Sequence, residues 1–231
     1  MGRIQTIIQL LKKAYPDAKI ALKFKNPWEL LVSVILSAQC TDVMVNKVTE
    51  KLFAKYKILD DYISADIKEF EQDIKSTGFY HNKAKNISAT AKIIKEKFGG
   101  NVPNTMETLL TLPGVARKTA NVVLGNAFGV VEGIAVDTHV HRLSQRLRLI
   151  NMGKIGGKKE MMFIKKKKTI LDYKKDADPN KIEQELMSVV PKGNWFGFTY
   201  RIIDHGRAIC KAQRPDCAHC VLNTLCPASR V

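Results

Sequence analysis

Apolar residues recur at helical spacing along most of this chain. The first fifteen residues predict an amphipathic helix with Ile4, Ile7, Ile8 and Leu11 on one face. This segment lacks the continuous apolar core and the small-residue cleavage site of a signal peptide. The longest apolar runs elsewhere are too short to span a bilayer. Because no stretch alternates apolar and polar residues with a period of two, no sheet is expected.

Turn residues divide the remaining sequence into short helices. Pro27 predicts the first turn of a helix that continues to Cys40, and Asp42 is predicted to cap the next helix. Further helices are predicted at 66–75, 82–98, 105–110, 116–127, 138–149, 180–189 and 194–209. Many short helices with brief connections predict a compact all-α fold.

The composition adds a strong basic excess to this helical pattern. With 38 basic and 22 acidic side chains the formal net charge is +16, and the isoelectric point is about 9.7. Such a charge favours a polyanionic partner, because each neutralised phosphate releases counterions. Charge alone does not separate DNA from RNA, ribosomes or an anionic membrane. Since no targeting segment is evident, a cytoplasmic location is expected, with nucleoid association if the protein is prokaryotic.

Residues 151–180 do not fit a compact helical fold. Three glycines precede the run Lys165–Lys168, and Asp176, Asp178 and Pro179 follow it. Clustered like charge resists close packing. The segment is therefore predicted to be a solvated, mobile insertion, and the alternative is an additional contact to the DNA backbone.

Four of the five cysteines lie within seventeen residues near the C-terminus, with the spacing C-x6-C-x2-C-x5-C. They are Cys210, Cys217, Cys220 and Cys226. In a reducing compartment four clustered thiols indicate metal ligation rather than disulfides, and their candidates are an iron–sulfur cluster and structural zinc. Zinc sites usually pair two C-x2-C units, so the single unit mildly favours iron. His219 is interpreted as a bystander, and Cys40 as a buried free thiol.

A second feature is a tight turn between two predicted helices. One helix ends near Leu110, Pro113-Gly114 follows, and another helix starts near Ala116. Gly114 permits a left-handed turn and a close backbone approach. The free N–H groups and the dipole of the second helix would then bind one phosphate. On spacing alone, a plain helical hairpin explains the segment equally well.

The segment L-P-G-V-A-R-K-T-A-N at 112–121 resembles the helix-hairpin-helix of the endonuclease III family of DNA glycosylases and AP lyases. The stretches L-S-A-Q-C-T-D at 36–42 and V-D-T-H-V at 136–140, and the cysteine spacing, also resemble that family. Together these matches run from about residue 22 to 226.

The resemblance implies a bifunctional enzyme of base excision repair that excises oxidised pyrimidines and nicks by β-elimination. Its partner would be double-stranded DNA with damaged bases or abasic sites, bound by a monomer. Two helical domains would flank the DNA cleft: 21–131, with the hairpin, and 1–20 plus 132–231. The second domain would hold a [4Fe–4S] cluster on the four cysteines.

The same resemblance assigns roles to individual residues. Lys118 would attack the sugar as a neutral amine and form a Schiff base, helped by burial and the positive end of a helix. Asp137 would stabilise the cationic sugar, and it is also a good N-cap for the helix that follows. Predicted DNA contacts are Gln39, Phe79, Gly114, Ala116, Arg117, Lys211 and Arg214.

Three departures from the family pattern stand out. Ala116 replaces a glycine often found in the hairpin, Phe79 stands where a smaller aliphatic residue is expected, and the Lys-rich insertion is long. Gln39 and Phe79 are alternatively a buried glutamine and a core aromatic residue. The alternative functions are a mismatch adenine or thymine glycosylase of the same superfamily, which generally lacks the lysine at 118, and a non-catalytic DNA-binding module.

Overall fold

The computed structural model describes residues 2–231, and the chain forms two compact units. One unit spans Ile20–Glu132, and the other joins the N-terminal segment through Lys19 to Gly133–Val231. The helices are α1 (Arg3–Ala14), α2 (Pro27–Leu36), α3 (Asp42–Lys55), α4 (Leu59–Ser64), α5 (Ile67–Ile74), α6 (Tyr80–Lys97), α7 (Met106–Leu109), α8 (Arg117–Val123), α9 (Thr138–Arg146), α10 (Pro179–Val189) and α11 (Trp195–Ala208). Strands β1 (Glu160–Lys165) and β2 (Lys168–Lys174) lie between α9 and α10.

The start of α2 follows the predicted pattern, and the start of α3 differs by one residue. The Asn26 side chain accepts a hydrogen bond from the backbone of Glu29, and Pro27 lies in the first turn. The cap of α3 is Thr41, because its backbone is extended and its hydroxyl accepts from the Met44 N–H at 3.3 Å. The prediction that Asp42 is the cap was therefore wrong, since Asp42 is already helical.

Helix α2 forms the centre of the 20–132 unit. Its side chains are buried on every face, with Leu30, Leu31, Val32 and Leu36 fully inaccessible. A helix that is apolar all round must be enclosed by others. It packs against α3, α6 and α8, so the hairpin between α7 and α8 is held by the core of this unit.

In the other unit α9 is the central element. It packs against α11, α10 and β2, and α1 packs against α11. The amphipathic α1 buries Ile7, Ile8 and Leu11, as its sequence predicts. None of the helices formed by residues 2–231 has the length and apolar composition needed to cross a bilayer.

A two-stranded antiparallel hairpin in the Lys-rich segment corrects the expectation of a fold without strands. Phe163 pairs with Ile170 and Lys165 with Lys168, which leaves a turn of two residues, Lys166 and Lys167. Both turn residues have positive φ, 48° and 64°. Such turns usually contain Asn-Gly or Gly, so four successive lysines gave no hairpin signal.

Specific contacts hold this hairpin against its own unit, which the prediction of a solvated, mobile insertion did not include, although most residues of 151–180 are exposed as predicted. Phe163 and Asp172 are 8% and 3% exposed. The Lys174 N–H donates to the Gln145 side chain at 2.8 Å, and the Lys165 ammonium donates to the Ser229 and Val231 carbonyls at 2.7 Å. The alternative role as a contact to the DNA backbone stays a prediction.

Candidate functional site

The turn before α8 requires a glycine. Gly114 has a φ of +77°, and a Cβ at this position would lie 2.9 Å from Nδ2 of Asn86. The Thr90 hydroxyl, also on α6, donates to the Pro113 carbonyl at 3.0 Å. Helix α6 therefore packs closely against the Pro113-Gly114 turn and fixes it. The sequence predicts both the left-handed turn and this close backbone approach.

Lys118 lies in the first turn of α8, immediately after this turn. Ala116 occupies the N-cap with extended backbone and no side-chain acceptor. Lys118 is half-buried, whereas Thr119 and Ala120 are buried. The backbone of Lys118 therefore lies at the positive end of the α8 dipole.

Asp137 caps α9 in the way its sequence predicts. Its Oδ1 accepts hydrogen bonds from the N–H groups of His139 at 2.9 Å and Val140 at 2.8 Å. Both capping bonds use Oδ1, so the cap itself does not require Oδ2. Asp137 and Lys118 belong to different units, and their catalytic roles are predictions from the resemblance.

Gln39 and Phe79 are both exposed residues in the left-handed region of backbone conformation. Their φ angles are 54° and 50°, and Phe79 is 62% exposed. Interpretations of Gln39 as a buried glutamine and Phe79 as a core aromatic residue are therefore wrong. Non-glycine residues persist in this region only where their surroundings enforce it.

All four clustered cysteines line a single cavity. Its walls also include the apolar side chains Leu143, Leu147, Ile209 and Leu222. Convergence of four thiols in an apolar pocket is what a protein-held inorganic group requires. Cys40 takes no part and is a free cysteine, although it is half-buried rather than buried as predicted.

The four thiols that line the cavity are a ligand set used both by iron–sulfur clusters and by structural zinc. Four thiolates around one zinc lie within about 4 Å of one another, because each Zn–S bond is about 2.3 Å. Within residues 2–231, no group of three or more His, Cys, Asp or Glu side chains is arranged as ligands of a metal ion.

Cys220 and Cys226 need a nearby cation before they act as thiolates near neutral pH. Burial raises the pKa of the Cys226 thiol to about 11 and also raises the pKa of Cys220. Binding of a metal releases the protons of such thiols. The four thiols therefore fit a metal-containing group, because they line one cavity and because thiolate sulfur is a good metal ligand.

Arg146 connects the β1–β2 hairpin to the loop that carries the four cysteines, and no pattern in the sequence indicated this role. Its side chain is 2% exposed and forms a two-bond ion pair with Asp172 at 2.8 and 2.7 Å. It also donates to Cys210 Sγ at 3.3 Å and to the Lys211 and Ala212 carbonyls at 2.8 and 2.7 Å. A buried guanidinium with this many acceptors orders the loop on which they lie.

His205 is a second residue of the cavity to which the sequence gave no role. It is 2% exposed, with Nδ1 3.1 Å from the Tyr15 hydroxyl and Nε2 3.4 Å from Cys220 Sγ. Burial lowers its pKa to about 4, so the ring is neutral and has one N–H. His219 is absent from the cavity lining and pairs with Asp216 at 2.9 Å, and its interpretation as a bystander stays a prediction.

The residues predicted to contact DNA on the cysteine loop and beside the Gly114 turn differ in their exposure. Lys211 and Arg214 are exposed on the cysteine loop, and Ala116 is exposed at the hairpin, whereas Arg117 is half-buried. The Lys211 carbonyl is held by Arg146. The cysteine loop thus presents two cations from an ordered backbone, and their contact with phosphate stays a prediction.

Comparison with known proteins identifies the class that this fold and these residues define. Residues 32–169, more than half of the chain, match the model of the HhH-GPD superfamily of base excision DNA repair proteins. The chain belongs to this superfamily. The matched residues include the helix-hairpin-helix segment at 112–121, with Lys118, and also Asp137, whereas the four cysteines lie beyond them.

Within that superfamily the chain is a member of the endonuclease III family. It is 47% identical over 228 residues to the endonuclease III of Synechocystis sp., with 99% of this chain and 93% of the relative covered. A solved non-covalent endonuclease III–DNA complex matches it with a TM-score of 0.85 and 42% identity, covering 99% of this chain and 97% of that one.

A solved trapped covalent endonuclease III–DNA intermediate matches the chain with a TM-score of 0.84, also at 42% identity, covering 99% of this chain and 97% of that one. These similarities extend over nearly the whole chain and include both units. The protein is therefore a base excision repair DNA glycosylase with AP lyase activity.

Proposed function

We propose that this protein excises oxidised pyrimidines from double-stranded DNA, with Lys118 as nucleophile and Asp137 as its partner. The observation that carries the proposal is the position of Lys118, half-buried in the first turn of α8 directly after the glycine-dependent turn. The trapped covalent complex of a 42% identical relative supports covalent chemistry.

The reaction would run through an imine. The neutral amine of Lys118 forms a bond to C1′ of the deoxyribose, and the damaged base leaves with the electron pair of the glycosidic bond and takes up a proton. The bonded nitrogen then loses a proton to a base, the ring oxygen takes up a proton, and the sugar ring opens to an iminium. This cation acidifies the C2′–H bond, so a base removes the proton and the 3′ phosphate leaves with the electrons of its C–O bond. Hydrolysis of the imine regenerates Lys118.

Asp137 would act by stabilising positive charge and by moving protons. Its Oδ1 is committed to the two N–H groups of α9, so the carboxylate has a fixed position. Oδ2, which the cap does not use, is proposed to act on the sugar, because a fixed anion stabilises a developing cation without having to reorganise. The proposal requires that Asp137 and Lys118 reach the same nucleotide, although they belong to different units.

The target nucleotide must leave the base stack before Lys118 can reach C1′. Gln39 and Phe79 are proposed to fill the space that it leaves. Both are exposed and held in enforced backbone conformations, and apolar wedges such as Phe partly unstack neighbouring bases. The exposed Lys211 and Arg214 are proposed to contact phosphates, which positions the duplex without reading its sequence.

A panel of duplexes that carry single lesions tests this function. Base release and strand nicking are measured separately for an oxidised pyrimidine, an abasic site, a G·T mismatch and an A·G mismatch. The expected result is base release together with nicking for the oxidised pyrimidine, nicking at the abasic site, and neither activity on the mismatches. Release of mismatched thymine or adenine without nicking would assign the protein to the alternative function.

We further propose that Cys210, Cys217, Cys220 and Cys226 hold a [4Fe–4S] cluster, which supplies a rigid structural core for the loop that carries Lys211 and Arg214. The cavity lined by all four thiols supports this assignment.

The purified protein is expected to contain about four iron atoms per chain and a broad absorption shoulder in the blue region. Cys220→Ser should lower the iron content, because it removes a ligand. Cys40→Ser is the matched control and should leave the iron content unchanged, since Cys40 is absent from the cavity. Stoichiometric zinc in a colourless preparation would overturn the assignment.

A further inference from the structure

One buried lysine joins the two loops that carry Gln39 and Phe79. Lys83, on α6, is 4% exposed. Its ammonium donates to three backbone carbonyls, those of Leu36, Ala38 and Thr77, each at 2.8 Å. An ammonium has three N–H donors, so its hydrogen-bonding capacity is fully used.

The three acceptors lie at the roots of both loops. Ala38 directly precedes Gln39, and Thr77 precedes Gly78 and Phe79. The residues that follow the Ala38 and Thr77 carbonyls have positive φ: 54° at Gln39, and 70° and 50° at Gly78 and Phe79. The backbone next to each of these two exposed side chains is thus bonded to one buried cation, although forty residues separate them in the chain.

The third acceptor explains why a cation is used at this point. Leu36 is the last residue of α2, and the final carbonyls of a helix lack partners within it and carry partial negative charge. Burial lowers the pKa of the Lys83 amine, and the three carbonyls favour the charged form. The same contacts would satisfy a purely structural cap of α2, so the experiment must separate the two roles.

We propose that Lys83 is a positioning residue that holds Gln39 and Phe79 at a fixed separation, so that both side chains enter the duplex together when the damaged nucleotide is extruded. This inference rests on the proposed function of the two loops. Extrusion costs unstacking energy, and preformed loops avoid a further ordering cost at that moment. Loss of the Lys83 contacts should therefore slow the removal of a damaged base more than it slows cleavage at a site whose base is already absent.

The test compares two substrates for the variant Lys83→Met, which keeps the length and apolar stem of the side chain and removes its three donors. Single-turnover base release from an oxidised-pyrimidine duplex is expected to fall about 10- to 100-fold, the scale for a displaced positioning group. β-Elimination at a preformed abasic site should change about threefold at most, because no base has to leave the stack. Discrimination between purines opposite the lesion should also weaken.

Ile87→Ala is the matched control for a loss of stability. Ile87 lies one turn further along α6 and is 0% exposed, so its truncation destabilises the same helix without removing the three carbonyl contacts. If Lys83 is only a structural cap, both variants will lower both rates in parallel with their melting temperatures, and that result overturns the proposal. Should Lys83→Met not fold, Lys83→Gln, which keeps two N–H donors, is measured in the same assays with the same criteria.

A double-mutant cycle identifies the route of the effect. In a Gln39→Ala background, Lys83→Met is expected to reduce base release by a smaller factor than in the parent, because one of the two positioned side chains is already gone. Full additivity contradicts the proposal. Borohydride trapping on abasic DNA should persist in Lys83→Met, whereas failure of the proposed chemistry would remove trapping from the unaltered protein as well.

Discussion

Replacing Lys118 with Ala is expected to abolish covalent trapping of the protein on abasic DNA by borohydride. Base release and strand nicking should fall by roughly 10³-fold or more, because the variant has no amine to attack C1′ and no iminium forms. DNA binding should persist, since the turn at Gly114 and the loop with Lys211 are unchanged. The measurements are single-turnover rates, trapping yield on a gel, and binding to an uncleavable abasic analogue.

Two further variants separate nucleophilicity from charge. Lys118→Arg keeps a cation but provides no amine for an imine, so it should bind DNA like the parent and fail to trap. Lys97→Ala, at the exposed end of α6, removes one positive charge from the same unit and should leave all rates unchanged. If Lys118→Ala nicks abasic DNA as fast as the parent, the proposed role of Lys118 is wrong.

Asp137→Asn is expected to inactivate the enzyme while leaving its stability nearly unchanged. Asparagine is as good an N-cap as aspartate, and its carbonyl can accept from the His139 and Val140 N–H groups as Oδ1 does now. The negative charge is lost, however, so base release should fall by about 10²- to 10⁴-fold. Denaturant unfolding and single-turnover base release measure the two effects independently.

Asp137→Ala provides the contrasting variant. It removes both the charge and the cap, so it should lose activity to a similar degree and also lower the free energy of unfolding by about 0.5–2 kcal/mol. A fully active Asp137→Asn would show that the side chain serves only α9. Equal destabilisation by both variants would instead show that the cap does not operate as the geometry indicates.

Local signals in the sequence predicted most of the framework. Pro27, the glycine turn at Gly114 and the cap at Asp137 depend on neighbours within a few residues, and all three are confirmed. The convergence of the cysteines was predictable for the same reason, since Cys217 and Cys220 lie on one short loop with the other two close in sequence. Such features need little information from the rest of the fold.

The features that the sequence did not reveal depend on distant partners. Lys83 looks like any lysine on a basic helix until the carbonyls of Ala38 and Thr77 are placed around it. Arg146 gains its role from Asp172, which lies on a hairpin whose two-lysine turn carries no turn signal. Tertiary contacts therefore decide the environment of these groups, and periodicity does not report them.

The attachment site of the trapped complex tests the central claim most directly. Unaltered protein is incubated with abasic DNA and borohydride, digested with trypsin, and analysed by mass spectrometry. The account predicts one sugar-modified peptide spanning residues 118–142, because trypsin cleaves after Arg117, fails at a modified Lys118 and cleaves next after Arg142, with fragmentation placing the modification on Lys118. A sugar attached to any other amine, or DNA nicked by a protein that never becomes attached, would contradict it.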